Sequence, residues 1–299
     1  LIGKLPQIID IYTAKIDYVH PLKNKAKLEA GLKTSFVTTD ANAIYDTLLN
    51  GVMMRDYNRS NHFVYKENIN AAYINYSRPL STKLNMQLGL RAEQTIANGD
   101  QRTTNVQFKR NYIQVFPTAY IQYAANEKNN FVINYGKRIR RPDYQSLNPF
   151  VEFLDRYTYE QGNPYLKPQF AHNIELSHTY KSFLTTTLNY TKTTDMIQQV
   201  IMQDDAKNET FIKQENIATQ QQIGLSINAF NQYTKWWSGN IYLNVANNQL
   251  TGPINNEMVS ISATTFMANI SQQFKLNKGY SAELSGFYRS EGLEGVFRI

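Results

Sequence analysis

The sequence contains no cysteine. This excludes a disulfide scaffold, thiolate metal sites and cysteine nucleophiles, without assigning a compartment. Long hydrophobic runs are also missing. No stretch of 18 apolar residues occurs and the mean hydropathy is −0.49, so no segment qualifies as a membrane-spanning helix. A membrane β-barrel would show no such run either, because its lumen-facing residues are polar. Charge blocks are scarce. The net charge is +7, but the basic residues are scattered among acids except for Lys137, Arg138, Arg140 and Arg141, which gives little support for nucleic-acid binding. No HExxH, GxSxG or P-loop pattern is present. Of the four histidines, His172 and His178 share one side of one strand but stand about 20 Å apart. No catalytic residue, metal site or cofactor is expected, and the chain is read as a non-enzyme. It opens on Leu1 without a signal sequence, which reads as a piece of something larger.

What is abundant is a strand-forming palette. There are 21 Tyr and 15 Phe, with many Thr and Asn. Period-two segments predict about twelve strands, at 8–20, 25–37, 61–78, 83–97, 110–124, 130–140, 169–181, 183–203, 210–231, 237–249, 258–274 and 279–290. The gaps between them alternate in length. Short ones follow 20, 78, 124, 180, 232 and 275; long ones cover 38–60, 98–109, 141–168, 204–209 and 250–257. Consecutive antiparallel hairpins with short turns at one end and long loops at the other are the layout of an outer-membrane barrel.

The two faces of each strand differ. Leu28, Ala30 and Leu32 share a parity, as do Leu84, Met86, Leu88 and Leu90, then Ile223, Leu225 and Ile227, then Ile241, Leu243 and Val245. Polar residues alternate with them. No amphipathic helix is present to cover the apolar face, so lipid is its simplest cover and the polar face lines a wet lumen. Tyr76, Tyr123, Tyr135, Tyr180, Phe183, Trp236, Trp237, Phe274 and Tyr280 lie near the short turns, where an interfacial girdle would need them. The competing reading is a soluble β-sandwich binding module that buries the same faces against protein.

Residues 138–168 read RIRRPDYQSLNPFVEFLDRYTYEQGNPYLKP. The pieces RRPDY, LNPF and GNPYLKPQ, with DYVHPL and KLEAGLK at 17–33, resemble the TonB-dependent receptor barrels of Bacteroidetes-type bacteria over nearly the whole chain. The motif positions are Arg140, Arg141, Pro142, Tyr144, Leu147, Asn148, Pro149, Gly162, Asn163, Pro164, Leu166 and Pro168. The prolines fix φ and stiffen the loop, and Gly162–Asn163 permits a tight turn. The loop is expected either to order the pore or contact a plug, or merely to fold over the rim. Lys33, Arg91, Glu93, Arg138, Arg140 and Tyr242 are candidate lumenal residues that could meet a ligand, with plain solvated lining as the alternative.

The resemblance implies an all-β transmembrane barrel of about 22 strands, of which residues 1–299 would supply about twelve, without the plug domain and the last strands. It further implies energy-coupled uptake of a large nutrient, such as an iron chelate, cobalamin or a glycan. The implied partners are outer-membrane lipid, the TonB complex through an N-terminal region, a surface lipoprotein and an unidentified nutrient ligand. An adhesion or assembly barrel without transport is the alternative of the same fold. A piece with two unpaired strand edges is not expected to form a functional pore alone.

Overall fold

The computed structural model describes residues 1–155, 157–204, 208–254, 257–294 and 297–298. Twelve long strands form the wall: β1 (Gln7–Pro21), β2 (Lys27–Leu49), β3 (Asn61–Pro79), β4 (Leu84–Gln101), β5 (Val106–Asn126), β6 (Asn129–Arg140), β7 (Gln169–Tyr180), β8 (Leu184–Asp204), β9 (Glu209–Gln232), β10 (Trp237–Ile254), β11 (Glu257–Lys275) and β12 (Ser281–Arg289). Each pairs antiparallel with the next in sequence. The sheet is open: among the described residues β1 and β12 are its two ends.

The register shows why the strands align as they do. Leu32 lies opposite Ala72, Ile74 opposite Leu90, and Ile121 opposite Ile133. Leu176 faces Leu188, Leu188 faces Leu225, and Leu225 faces Val245. A shift of one residue on any strand would move its whole apolar set to the other side. The result is one continuous apolar band across the wall. Its members are not covered by protein: Ile74, Leu90, Ile133, Ile174, Ile223 and Val245 are 45% to 53% exposed. Apolar area this contiguous needs an apolar solvent, and the described residues supply no second layer. The sandwich reading, which requires these faces to be buried, is therefore wrong.

The strands extend further than the apolar pattern does. β2 has 23 residues and β9 has 24, whereas about 10 tilted residues cross a bilayer. Most of the expected long loops are consequently strand. Residues 38–49 continue β2, 98–101 continue β4, and 250–254 continue β10. Only four residues, 102–105, separate β4 from β5. Outside lipid neither face must be apolar, so the period-two signal fades while the backbone ladder continues. The expected gap at 204–209 falls largely on residues outside those described.

One seam interrupts the ladder. β5 and β6 pair from the Asn126–Asn129 turn up to Thr118 and Gly136 and no further. The next residue of β5 is Pro117, which has no N–H to donate. β5 continues with β4 alone, through Leu90–Pro117 up to Gln101–Val106, and β6 continues with β7 alone up to Arg140–Gln169. The 141–168 segment occupies this opening.

Candidate functional site

Apart from residue 156, which lies outside those described, the 141–168 segment folds inward and is stitched to β4 and β5 on one side and to β9 on the other. Asp143 accepts from Ser146 N at 2.8 Å and starts one helical turn, Tyr144–Leu147. Asn163 N donates to Ser146 O at 2.7 Å, which closes the two arms on each other. Gly162 sits where they meet. A Cβ there would lie 2.7 Å from Gln145 O and closer still to Asn148 O, so only glycine fits. Between the arms, Val151–Phe153 and Thr158–Gln161 form a small hairpin whose second strand adds in parallel to β9 at Thr210–Ile212.

Leu147 and Leu166, each 1% exposed, are the apolar anchors. They pack with Phe63, Tyr65, Ala97 and Ile197, flanked by Phe108 and Tyr144. Phe63, Tyr65, Ala97 and Phe108 belong to the lumen-facing parity of β3–β5, so the core of the molecule lies inside the wall. Burying two such leucines is worth about 1.5–3 kcal/mol each.

Polar clamps complete the docking. Gln101, fully buried, donates to Asn148 Oδ1 at 2.8 Å. Arg110 donates to the carbonyls of Pro164 and Leu166. Arg141 donates to Glu93 Oε2 at 2.6 Å and to Thr95 Oγ1 at 3.0 Å. Burial disfavours the charge on Arg141, but the Glu93 carboxylate outweighs it and holds the guanidinium above its ordinary pKa. On β9, Asn163 Nδ2 reaches Glu215 Oε2 at 3.0 Å, and Lys167 exchanges hydrogen bonds with Asn216 at 2.7 and 2.9 Å.

The motif positions therefore form a roof over the lumen, at the height where the apolar band ends. Pro142, Leu147 and Leu166 are buried, and Asn148, Pro149, Gly162, Asn163, Pro164 and Pro168 are half-buried. Tyr144 accepts from Gln7 Nε2 at 2.7 Å, tying the roof to β1. Arg140 is exposed and stands apart from the roof's clamps.

Beneath the roof a cavity of about 840 Å³ opens into the lumen. Four of the candidate lumenal residues, Lys33, Arg91, Glu93 and Arg138, line it together with Lys15, Tyr73, Phe116 and Lys137. Five cations thus face one carboxylate, and Glu93 is already held at 2.5 Å by Arg91 and by Arg141. Asp17, on β1, neutralises Lys15 at 2.6 Å and accepts from Tyr73 Oη. Lys33 and Arg138 carry no ion pair among the described residues. Tyr242 lies on the lumen face of β10 opposite Asn228 and Asn269, away from this cavity. A second cavity of about 780 Å³ lies above, between Gln7, Tyr45, Arg59, Tyr144 and Gln161.

The sequence reading places neither Lys15 nor Lys137 in the lumen. Lys15 pairs with Lys33 across the strands, a signal that period-two reading contains. Lys137 has the lipid-facing parity of Ile133 and Tyr135. It reaches the lumen because β6 leaves β5 after Gly136, which lets Lys137 donate to Gln114 at 3.3 Å and sit over the Phe170 ring.

A wall that meets lipid on one side and encloses a polar, roofed chamber on the other defines a membrane β-barrel protein. The chain belongs to the outer membrane protein β-barrel family, whose model matches residues 2–299, and its place is the outer membrane. Among the solved structures that share the fold are the following three. The copper transporter OprC aligns with a TM-score of 0.62 at 11% identity, over 95% of this chain and 48% of that one. The siderophore receptor PiuA from Acinetobacter baumannii gives 0.55 at 12%, over 95% and 49%. The ferric yersiniabactin uptake receptor FyuA from Yersinia pestis gives 0.53 at 14%, over 96% and 47%. This chain spans about half the length of each. No curated protein sequence matches it. The barrel fold implied by the motif resemblance agrees with these neighbours, which do not bear on the Bacteroidetes type.

Proposed function

We propose that this chain is part of a larger closed barrel that imports a large nutrient across the outer membrane, energised through TonB. The supporting observation is the cationic chamber under a docked roof, set inside a wall that faces lipid. With Lys33 and Arg138 unpaired among the described residues, the chamber favours a ligand carrying carboxylates or phosphates, such as an acidic iron chelate, over a neutral glycan. The remaining strands, a plug and the TonB-contacting segment belong to the rest of such a protein, as does docking of a surface lipoprotein.

The test is uptake by cells carrying the full-length gene, supplied with labelled anionic iron chelates, cobalamin or glycans. Uptake that needs the proton gradient and falls about tenfold in Lys33→Gln/Arg138→Gln would support the reading. Outer-membrane recovery with no energy-dependent uptake of any of the three would overturn import and leave an adhesion or assembly barrel.

A further inference from the structure

The basic residues look scattered in sequence, but the hairpins gather them at one rim. The six short turns, residues 22–26, 80–83, 127–128, 181–183, 233–236 and 276–280, hold seven lysines and one acid, Glu127. That is a net +6 in 23 residues, against +7 for the whole chain. The connections at the opposite end, 50–60, 102–105, 141–168, 205–208 and 255–256, hold seven basic and six acidic residues in 49. Every short turn contributes at least one lysine, and every one of those lysines is exposed.

Turn chemistry does not account for them. Lys25, Lys181 and Lys278 adopt left-handed backbone, with φ of 58°, 48° and 61°. Glycine or asparagine takes that conformation at lower cost. Internal pairing does not account for them either. Among the described residues none of the seven makes a salt bridge. Lys83 Nζ donates to Ala125 O at 3.0 Å, and Lys181 lies over the Tyr180 ring at 5.3 Å.

Directly beside this collar sits the aromatic girdle. Both tryptophans of the chain are there: Trp236 and Trp237 pack with Tyr233 and Phe274 at 4.5–6.3 Å, and Tyr180 meets Phe183 edge-on. Amphipathic rings settle at headgroup depth, and lysines one turn further out reach the phosphate layer.

We infer that the short-turn rim is a binding surface for anionic phospholipid, selecting phosphatidylglycerol-type headgroups from the leaflet in which the short periplasmic turns lie. This concerns the wall's outer rim and stands whether or not the protein imports anything.

The full-length protein reconstituted in phosphatidylcholine vesicles with a minor share of phosphatidylglycerol tests it. Bromine is placed on the acyl chains of one lipid at a time. The quenching of Trp236 and Trp237 is read as the difference from Trp236→Phe/Trp237→Phe. Brominated phosphatidylglycerol should quench as though enriched roughly fivefold beside these tryptophans. The enrichment should disappear in high salt and in Lys181→Gln/Lys235→Gln/Lys278→Gln that still shows heat-modifiable migration. Should that variant fail to fold, the salt titration of the unmodified protein decides. Quenching that follows bulk lipid composition at low salt would overturn the proposal.

Discussion

Arg141 and Gly162 carry different kinds of constraint in the roof. Arg141 shares with Arg91 the carboxylate of Glu93, which is 12% exposed, so Arg141→Ala leaves that charge with one cation instead of two. With Arg91 still in place, the loss should stay below the ~3–5 kcal/mol of an uncompensated buried charge. Urea titration of the protein folded in vesicles should show this loss, and Arg91→Ala in the same background should deepen it toward that figure. Gly162→Ala acts through space alone. It forces the two arms of the roof apart, at about 1–3 kcal/mol. Limited proteolysis near Leu154 and Asp155, which are exposed, should speed up in Gly162→Ala while the wall strands stay protected. The sequence made Gly162 legible as a turn residue. The backbone approach from Asn148 and Gln145 was not legible, because it depends on how the two arms fold together.

At the scale of a strand, the period-two pattern carries most of the information, and the structure tests it position by position. Leu88 faces lipid while its neighbour Gln87 faces the lumen beside Lys33 and Arg91. Leu88→Arg should cost about 2–4 kcal/mol of folding free energy in a bilayer. Gln87→Arg should cost less than about 1 kcal/mol, measured by the same vesicle titration. Equal costs would mean that the faces are assigned wrongly. The wall strands were legible because lipid imposes alternation on them. Their extensions, such as 38–49 on β2, were not, since water on both faces imposes none. From the sequence the loop is expected to order the pore or fold over the rim, and its buried anchors were not legible for a related reason. Leu147 and Leu166 lie among loop residues without a period, and their partners Phe63, Tyr65 and Phe108 look like ordinary strand aromatics until the register brings them together.

For the whole molecule, two open edges dominate. β1 is exposed along its length and β12 likewise, and both cross the height of the lipid band. Unpaired backbone groups cost several kcal/mol each in hydrocarbon. The 299-residue chain alone should give no steady single-channel conductance in a planar bilayer and should associate through these edges, as seen by cross-linking. A stable monomeric channel from this chain would show that the sheet closes on itself. The charge asymmetry between the two rims also belongs to this scale. It cannot be read from net charge, since it arises only when alternate connections are sorted to opposite ends.

The seam at Pro117 also has a consequence for the order of assembly. Neighbouring hairpins form from contacts close in sequence, which are fast to find. The roof's contacts are distant: Gln7 with Tyr144 is separated by 137 positions, and Asn163 with Glu215 by 52. They need β1, β3 to β5 and β9 already in register. The roof is therefore the last part to settle, and its arrival marks the completion of everything beneath it. In a pulse-labelling experiment, amides of residues 141–168 should gain protection after those of the wall, so that the segment serves as the clock of the chain's own maturation.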